Sequence, residues 1–254
     1  MSWDPAQYGK FGDERSRPAR DLLARVPLEA PRVVYDLGCG GGEATALIAA
    51  RWPAAKVVGI DNSPAMLAKA RESDLAADWV EADVGTWRAP EPADLVFANA
   101  SLQWLGDHGT LFPRLAGMLG AGAALAVQMP RNFDAPSHRC MEEAAAAGPW
   151  RGRLAKAKRL DPVAGPEAYY DILAPHVGNL DIWETEYVHV LEDDNPVVEW
   201  AKGTELRPYL DALEGDERAA FLADYAARIA GAYPRRGDGR TLFPFRRLFI
   251  VAVR

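Results

Sequence analysis

Residues 33–42, Val-Val-Tyr-Asp-Leu-Gly-Cys-Gly-Gly-Gly, constrain the fold of this 254-residue chain more than any other stretch. The stretch opens on apolar, partly β-branched residues, the pattern of a short parallel strand buried on both faces. Glycine then fills four of the five positions 38–42, which excludes regular structure and strips the backbone of side chains. A helical run follows to Arg51. Strand, bare loop and helix start, in that order, make a place where a ligand can lie against unpaired backbone N–H groups.

The same alternation continues downstream. Strands are predicted over 56–60, 78–82, 94–98 and 123–128, with helices over 64–71 and 111–119 between them. Ser63 before Pro64 has the form of an N-cap followed by proline at the first helical position. Strands and helices alternating at this spacing specify right-handed βαβ units and a parallel sheet covered on both faces. The later chain reads as helices over 137–147 and 167–173, a strand over 180–191 and a final strand over 245–253. Helices over 196–203, 205–213 and 216–232 separate those two strands. Two residues suffice to join an antiparallel pair, so an insertion of this length is expected to be functional. The expected class is α/β: a Rossmann-like, doubly wound sheet of seven strands, mostly parallel with an antiparallel last strand, plus a helical cap over its carboxyl edge. The expected boundaries are an N-terminal lid or helix at 1–30, a ligand-binding domain at 31–193 and 240–254, and the cap at 194–239. Trp3, Tyr8 and Phe11, followed by Arg15, Arg17 and Arg20, read either as a terminus with a first helix near 18–25 or as a lid. The basic run 151–159 reads as a solvated face.

A net charge of -7 and a pI near 5.2 weigh against a nucleic-acid binder. No apolar run approaches the ~18 residues of a membrane span, so no membrane partner is expected. Cys39 and Cys140 are too far apart, and Cys39 too embedded in the loop, to suggest a disulfide framework. A cytoplasmic protein with no metal site is the expectation.

Asp36, Asp61, Asp83 and Asn99 end successive predicted strands along one edge, where open parallel sheets bind ligands. A carboxylate at Asp61 can accept from both hydroxyls of a ribose, and Asp83 can accept from an adenine amine. The loop register is G-x-G-x-G with Glu43 next, not the G-x-G-x-x-G of a dinucleotide site, and no G-x-x-x-x-G-K-[ST] occurs. Acids beside the loop repel a pyrophosphate but suit a cation. S-adenosylmethionine, which carries a sulfonium and an ammonium and no phosphate, fits this set. The candidate cofactor-binding residues are Asp36, Gly38, Cys39, Gly40, Asp61, Asn62, Asp83, Val84 and Asn99, with S-adenosylhomocysteine as product.

The motifs at 36–42, 59–63 and 81–83 resemble those of the class I S-adenosylmethionine-dependent methyltransferases. Further stretches at 14–19, 97–105, 125–130, 169–173, 206–208 and 247–252 resemble the trans-aconitate methyltransferase family, almost end to end and including the cap. Gly41 departs from that family, where proline is frequent. The resemblance implies methyl transfer to one carboxylate of trans-aconitate or a related polycarboxylate. A carboxylate titrates near pH ~4 and is already ionised at neutral pH, so no general base and no catalytic residue is expected. The carboxylates that do not react need cations, for which the planar fork of arginine is suited. Arg15, Arg17, Arg131, Arg207 and Arg246 are the candidates, with Trp104 and Tyr170 as pocket walls and His138 either lining the pocket or structural. Two alternatives stay open: a methyltransferase of the same fold acting on another small acceptor, and a non-catalytic S-adenosylmethionine-binding regulator. No Asn/Asp-Pro-Pro-aromatic follows Asn99 and no cysteine follows a proline, which argues against methylation of nucleic-acid bases.

Overall fold

The computed structural model describes residues 12–155 and 162–254. Trp3, Tyr8 and Phe11 and the end of the basic run lie outside them. Seven strands form one sheet: β1 (Val33–Leu37), β2 (Lys56–Asp61), β3 (Asp78–Glu81), β4 (Ala93–Asn99), β5 (Leu119–Pro130), β6 (Asn179–Leu191) and β7 (Thr241–Val253). Their order is β3-β2-β1-β4-β5-β7-β6. The first five pair parallel, and β7 runs antiparallel between β5 and β6. This is the doubly wound sheet with an antiparallel last strand that the sequence leads one to expect.

Helices α1 (Gly12–Arg25) and α2 (Glu43–Arg51) cover one face through Leu22, Leu23, Val26, Ile48 and Trp52. The opposite face packs against α4 (His108–Ala116) and α7 (Pro166–Leu173) through Leu111, Phe112, Leu115, Tyr169 and Leu173. Burying an apolar side chain of this size contributes roughly 1.5–3 kcal/mol. Helix α3 (Pro64–Arg71) follows β2 and starts as anticipated, with Ser63 Oγ accepting from Met66 N–H.

A third core belongs to the cap. Helices α8 (Pro196–Lys202), α9 (Arg207–Asp211) and α10 (Gly215–Ala232) bury Trp200, Leu206, Tyr209, Phe221 and Tyr225 against Leu191, Phe243 and Phe245 of the β6–β7 hairpin. Helices α5 (Pro136–Ala147) and α6 (Arg151–Leu154) add Met141, Ala144, Trp150 and Leu154 to the same cluster. The packing of the cap therefore reaches beyond 194–239.

Several boundaries differ from the sequence expectation for visible reasons. The run β5 extends through Gly120 and Gly122 because Gly122 N–H donates to Arg254 O at 2.8 Å, continuing its alignment with β7. β7 begins at Thr241 rather than 245 because residues 241–245 pair with 187–191 of β6. Helix α4 starts three residues early, where Asp107 accepts from Thr110 N–H. Helix α1 runs through Pro18 and begins well before 18. Among the described residues no helix is long and apolar enough to cross a membrane.

Candidate functional site

The turn after β1 is held from beneath. Gly38 and Cys39 N–H groups both donate to Ile60 O, at 2.7 and 3.0 Å. Gly38 has φ 70, and a Cβ there would stand 2.3 Å from Ser101 Cβ, so only glycine lets the loop close on the segment after β4. Ser101 Oγ–H reinforces that approach by donating to Leu37 O at 2.6 Å.

Asp61 ends β2 with both carboxylate oxygens engaged: Gly40 N–H donates to Oδ2 at 2.9 Å and Ser63 N–H to Oδ1 at 2.8 Å. Each oxygen accepts more than one hydrogen bond, so Asp61 fastens the loop and still presents acceptor capacity. Asp83 is exposed and accepts from Gly85 N–H at 2.8 Å, which turns the chain after β3.

A cavity of about 420 Å³ opens at this edge of the sheet. Gly38, Cys39, Gly40, Asp61, Asn62, Asp83, Val84 and Asn99 all line it, as does Trp104. Ser16 and Ala19 of α1 also reach it, and Trp200, Thr204, Glu205 and Pro208 of the cap close its far side. The acids Glu43, Asp61 and Asp83 lie on the loop side. Asn99 Oδ1 is buried there with no donor among the described residues. The Cys39 thiol is pushed far up by burial, with Asp36 and Asp61 adding to the shift, so it is a protonated wall residue and not a nucleophile.

Asp36 is the exception among the expected cofactor residues. It does not line the cavity; it sits behind the loop, 1% exposed, accepting from Thr45 Oγ1–H at 2.6 Å. Its pKa is raised to about 7, chiefly by burial, with the Thr45 hydrogen bond opposing and the charges of Asp61 and Glu43 adding to the rise.

Most of the expected substrate residues are elsewhere. Arg17 is exposed, 4.0 Å from Asp21 and stacked over Tyr187 at 4.9 Å. Arg131 pairs with Glu184 at 2.8 Å and donates to Ala164 O. Tyr170 is 57% exposed, and its neighbour Tyr169 turns inward instead, 2.7 Å from His108 Nδ1. Arg207 opens α9 off the cavity wall, while the following Pro208 is on it. Arg246 faces Asp134 at 3.7 Å. The backbone of Arg15 lies in α1, and its side chain is outside the described set.

Among the described residues, the arginine that lines the cavity is Arg247, 4% exposed, with its guanidinium 4.7 Å from the Phe245 ring centroid. Asn132, Phe133 and His138 stand on the same wall. One signal for Arg247 was present in the sequence. Along 241–247 of β7 the odd positions Thr241, Phe243, Phe245 and Arg247 are buried and the even ones are not. Side chains alternate along a strand, so the two phenylalanines select Arg247 over Arg246.

Comparison with known proteins adds a second line. A family profile described as a methyltransferase domain matches residues 34–122, a span that includes the loop, Asp61, Asp83 and Asn99 and ends before Arg247 and the cap. A protein of Azoarcus sp. (strain BH72) named trans-aconitate 2-methyltransferase is 54% identical over 253 residues, covering 100% of this chain and 99% of that one. A protein of the same name from Methylobacterium radiotolerans is 53% identical, covering 98% of this chain and 97% of that one. Among solved structures, a putative methyltransferase from Bacillus halodurans C-125 superposes with TM-score 0.60 at 14% identity, over 93% of this chain and 98% of that one. Haemonchus contortus phosphoethanolamine N-methyltransferase 2 in complex with S-adenosyl-L-methionine gives TM-score 0.58 at 16% identity, over 97% of this chain and 56% of that one. Those two likenesses concern the fold alone.

Proposed function

Because the chain belongs to the trans-aconitate 2-methyltransferase family of S-adenosylmethionine-dependent methyltransferases, we propose that its cavity esterifies one carboxylate of trans-aconitate, releasing the monomethyl ester and S-adenosylhomocysteine. The single observation that carries this reading is the placement of charge in one cavity, with Glu43, Asp61 and Asp83 around the glycine loop, the buried Arg247 contributed by β7, and Glu205 the acid contributed by the cap. That placement suits a cationic cofactor beside an anionic acceptor.

When bound, S-adenosylmethionine supplies an electrophilic methyl group on a positively charged sulfur. The residues present fit it. Asp61 would accept from the ribose hydroxyls and Asp83 from the adenine amine, and Asn62 and Val84 line the same cavity. The buried Asn99 Oδ1 is an acceptor for the ammonium. Gly38 and Gly40 line the cavity with bare backbone.

Catalysis on this reading is positioning and exclusion of water. The acceptor carboxylate is already ionised near neutral pH, so no residue needs to remove a proton. Trp104 and the cap residues Trp200 and Pro208 shield the reacting pair from water, where alignment and charge complementarity act most strongly. The cap in this account comprises α5 and α6 together with 194–239, and α1 forms part of the wall rather than a separate lid. A cytoplasmic setting suits an anionic metabolite as substrate and the two free cysteines.

The test is incubation of the purified protein with methyl-labelled S-adenosylmethionine and a panel of di- and tricarboxylates, amines and phenols, with products read by mass spectrometry. The labelled monomethyl ester of trans-aconitate is expected as the dominant product. Label on an amine or phenol instead, or on nothing, overturns the reading.

A further inference from the structure

Three buried polar side chains meet at the sheet edge beside the cap, and their hydrogen bonds orient them. Arg247 Nη1 donates to Gln128 Oε1 at 3.4 Å. A guanidinium only donates, so the atom it meets is the amide oxygen, and Gln128 Nε2 faces the other way. Gln128 is 0% exposed, and no acceptor among the described residues reaches that nitrogen. Asn132 repeats the arrangement. Its Oδ1 accepts from Arg246 N–H at 3.3 Å, which leaves Nδ2 buried with no acceptor among the described residues. Asn132 and Arg247 line the cavity and Gln128 stands behind Arg247.

An amide N–H₂ buried without an acceptor costs free energy. The Asn132 amide and the Arg247 guanidinium stand on the same cavity wall and make it rich in donors, while Gln128 backs the guanidinium. The complementary ligand group bears acceptors only and a negative charge, which describes a carboxylate. Glu205, the acid on the cap side, accepts from Thr204 Oγ1–H. We propose that Arg247 and Asn132 form the subsite that holds a non-reacting carboxylate of the acceptor, with Gln128 positioning Arg247 from behind, and that this subsite makes the enzyme select polycarboxylates. The inference rests on the methyltransferase reading above for its substrate. It deepens that reading by naming the residues that set acceptor specificity.

The test uses the full chain loaded with S-adenosylhomocysteine and measures trans-aconitate binding by calorimetry, with methyl-ester formation assayed on the same preparations. Three variants are informative. Asn132→Asp keeps the oxygen that Arg246 N–H uses and replaces the donor with an anionic acceptor. Gln128→Glu keeps the oxygen that Arg247 uses and neutralises the guanidinium. Arg247→Met removes the charge at similar volume. Each should weaken trans-aconitate binding roughly tenfold to a hundredfold, the effect of losing a charge-assisted hydrogen bond, with S-adenosylhomocysteine affinity within about twofold of wild type by the same criterion. Melting curves identify any variant that fails to fold, and the two near-isosteric amide changes keep the test alive if Arg247→Met is one. Unchanged trans-aconitate affinity in folded Asn132→Asp and Gln128→Glu overturns the subsite. Binding that depends on these residues with no ester formed would leave the subsite standing and reject the methyl-transfer reading. Failure of the wild type to bind trans-aconitate rejects both.

Discussion

Asp36 is the residue where burial and charge conflict most sharply. Its carboxyl is buried behind the glycine loop and titrates at about 7, against an ordinary value of 3.8, chiefly through desolvation. The native pKa lies above the unfolded one, so the neutral acid is the form the fold prefers. Its contribution to stability is fully present below about 3.8 and is lost as pH rises towards about 7. A cationic ligand on the other side of the loop favours the ionised form. S-adenosylmethionine affinity should therefore rise with pH through about 7, and S-adenosylhomocysteine, which lacks the sulfonium charge, should show a weaker dependence. Thr45→Val removes the hydroxyl that favours the carboxylate and should move the midpoint upwards. Titration calorimetry between pH 5.5 and 8.5, about 1.5 units either side of the midpoint, measures both, and a flat profile would refute the coupling. The acids at Asp61 and Asp83 were legible in the sequence because strand ends beside a glycine loop can face only one edge. Arg247 was not picked out because adjacent strand residues differ only in parity, and the adjacent Arg246 offers the same chemistry on the wrong face. The same one-residue ambiguity, on a helix, separates buried Tyr169 from exposed Tyr170.

Helix α10 shows what an element contributes beyond its sequence pattern. Phe221, Tyr225 and Ile229 recur every four residues and are all buried, which makes one apolar face. That face, with α5 and α8, holds the cap on the β6–β7 hairpin. Tyr225 is fully buried, and its hydroxyl has no partner among the described residues. Burial also drives its pKa far upward, so the group stays neutral. Removing an unsatisfied buried hydroxyl should relieve its desolvation cost, so Tyr225→Phe should stabilise the protein by about 1 kcal/mol. Denaturant melts measure the change, and a loss of about 1 kcal/mol or more would mean that the hydroxyl is engaged. The strands and helices of the sheet domain were legible to within a few residues because their apolar periods are strong. The union of α5 and α6 with the cap was not, because an alanine-rich helix says little about which core it joins.

At the scale of the whole molecule, the antiparallel β7 ties the two halves together. Its distal half, 241–245, packs in the cap core, and its proximal half, 248–252, packs in the two sheet cores. Arg247 lies at the junction between them. The same strand thus braces the cap and places the buried cation opposite the loop that the first half of the sheet presents. The sequence made a doubly wound sheet with an antiparallel last strand and a helical insertion before it predictable, but the meeting of loop, cap and β7 around one cavity depends on contacts between distant residues. On this reading one cavity holds both reactants, the cationic cofactor at the glycine loop and the anionic acceptor at Arg247. A crystal structure of the protein with S-adenosylhomocysteine and trans-aconitate tests it most directly. The adenosyl group is expected against Asp61 and Asp83, and the tricarboxylate beneath the cap with a carboxylate on Arg247 and Asn132. Density for trans-aconitate on the outer face, beside Arg131 or Arg17, or an adenosyl group away from Asp61, would contradict it.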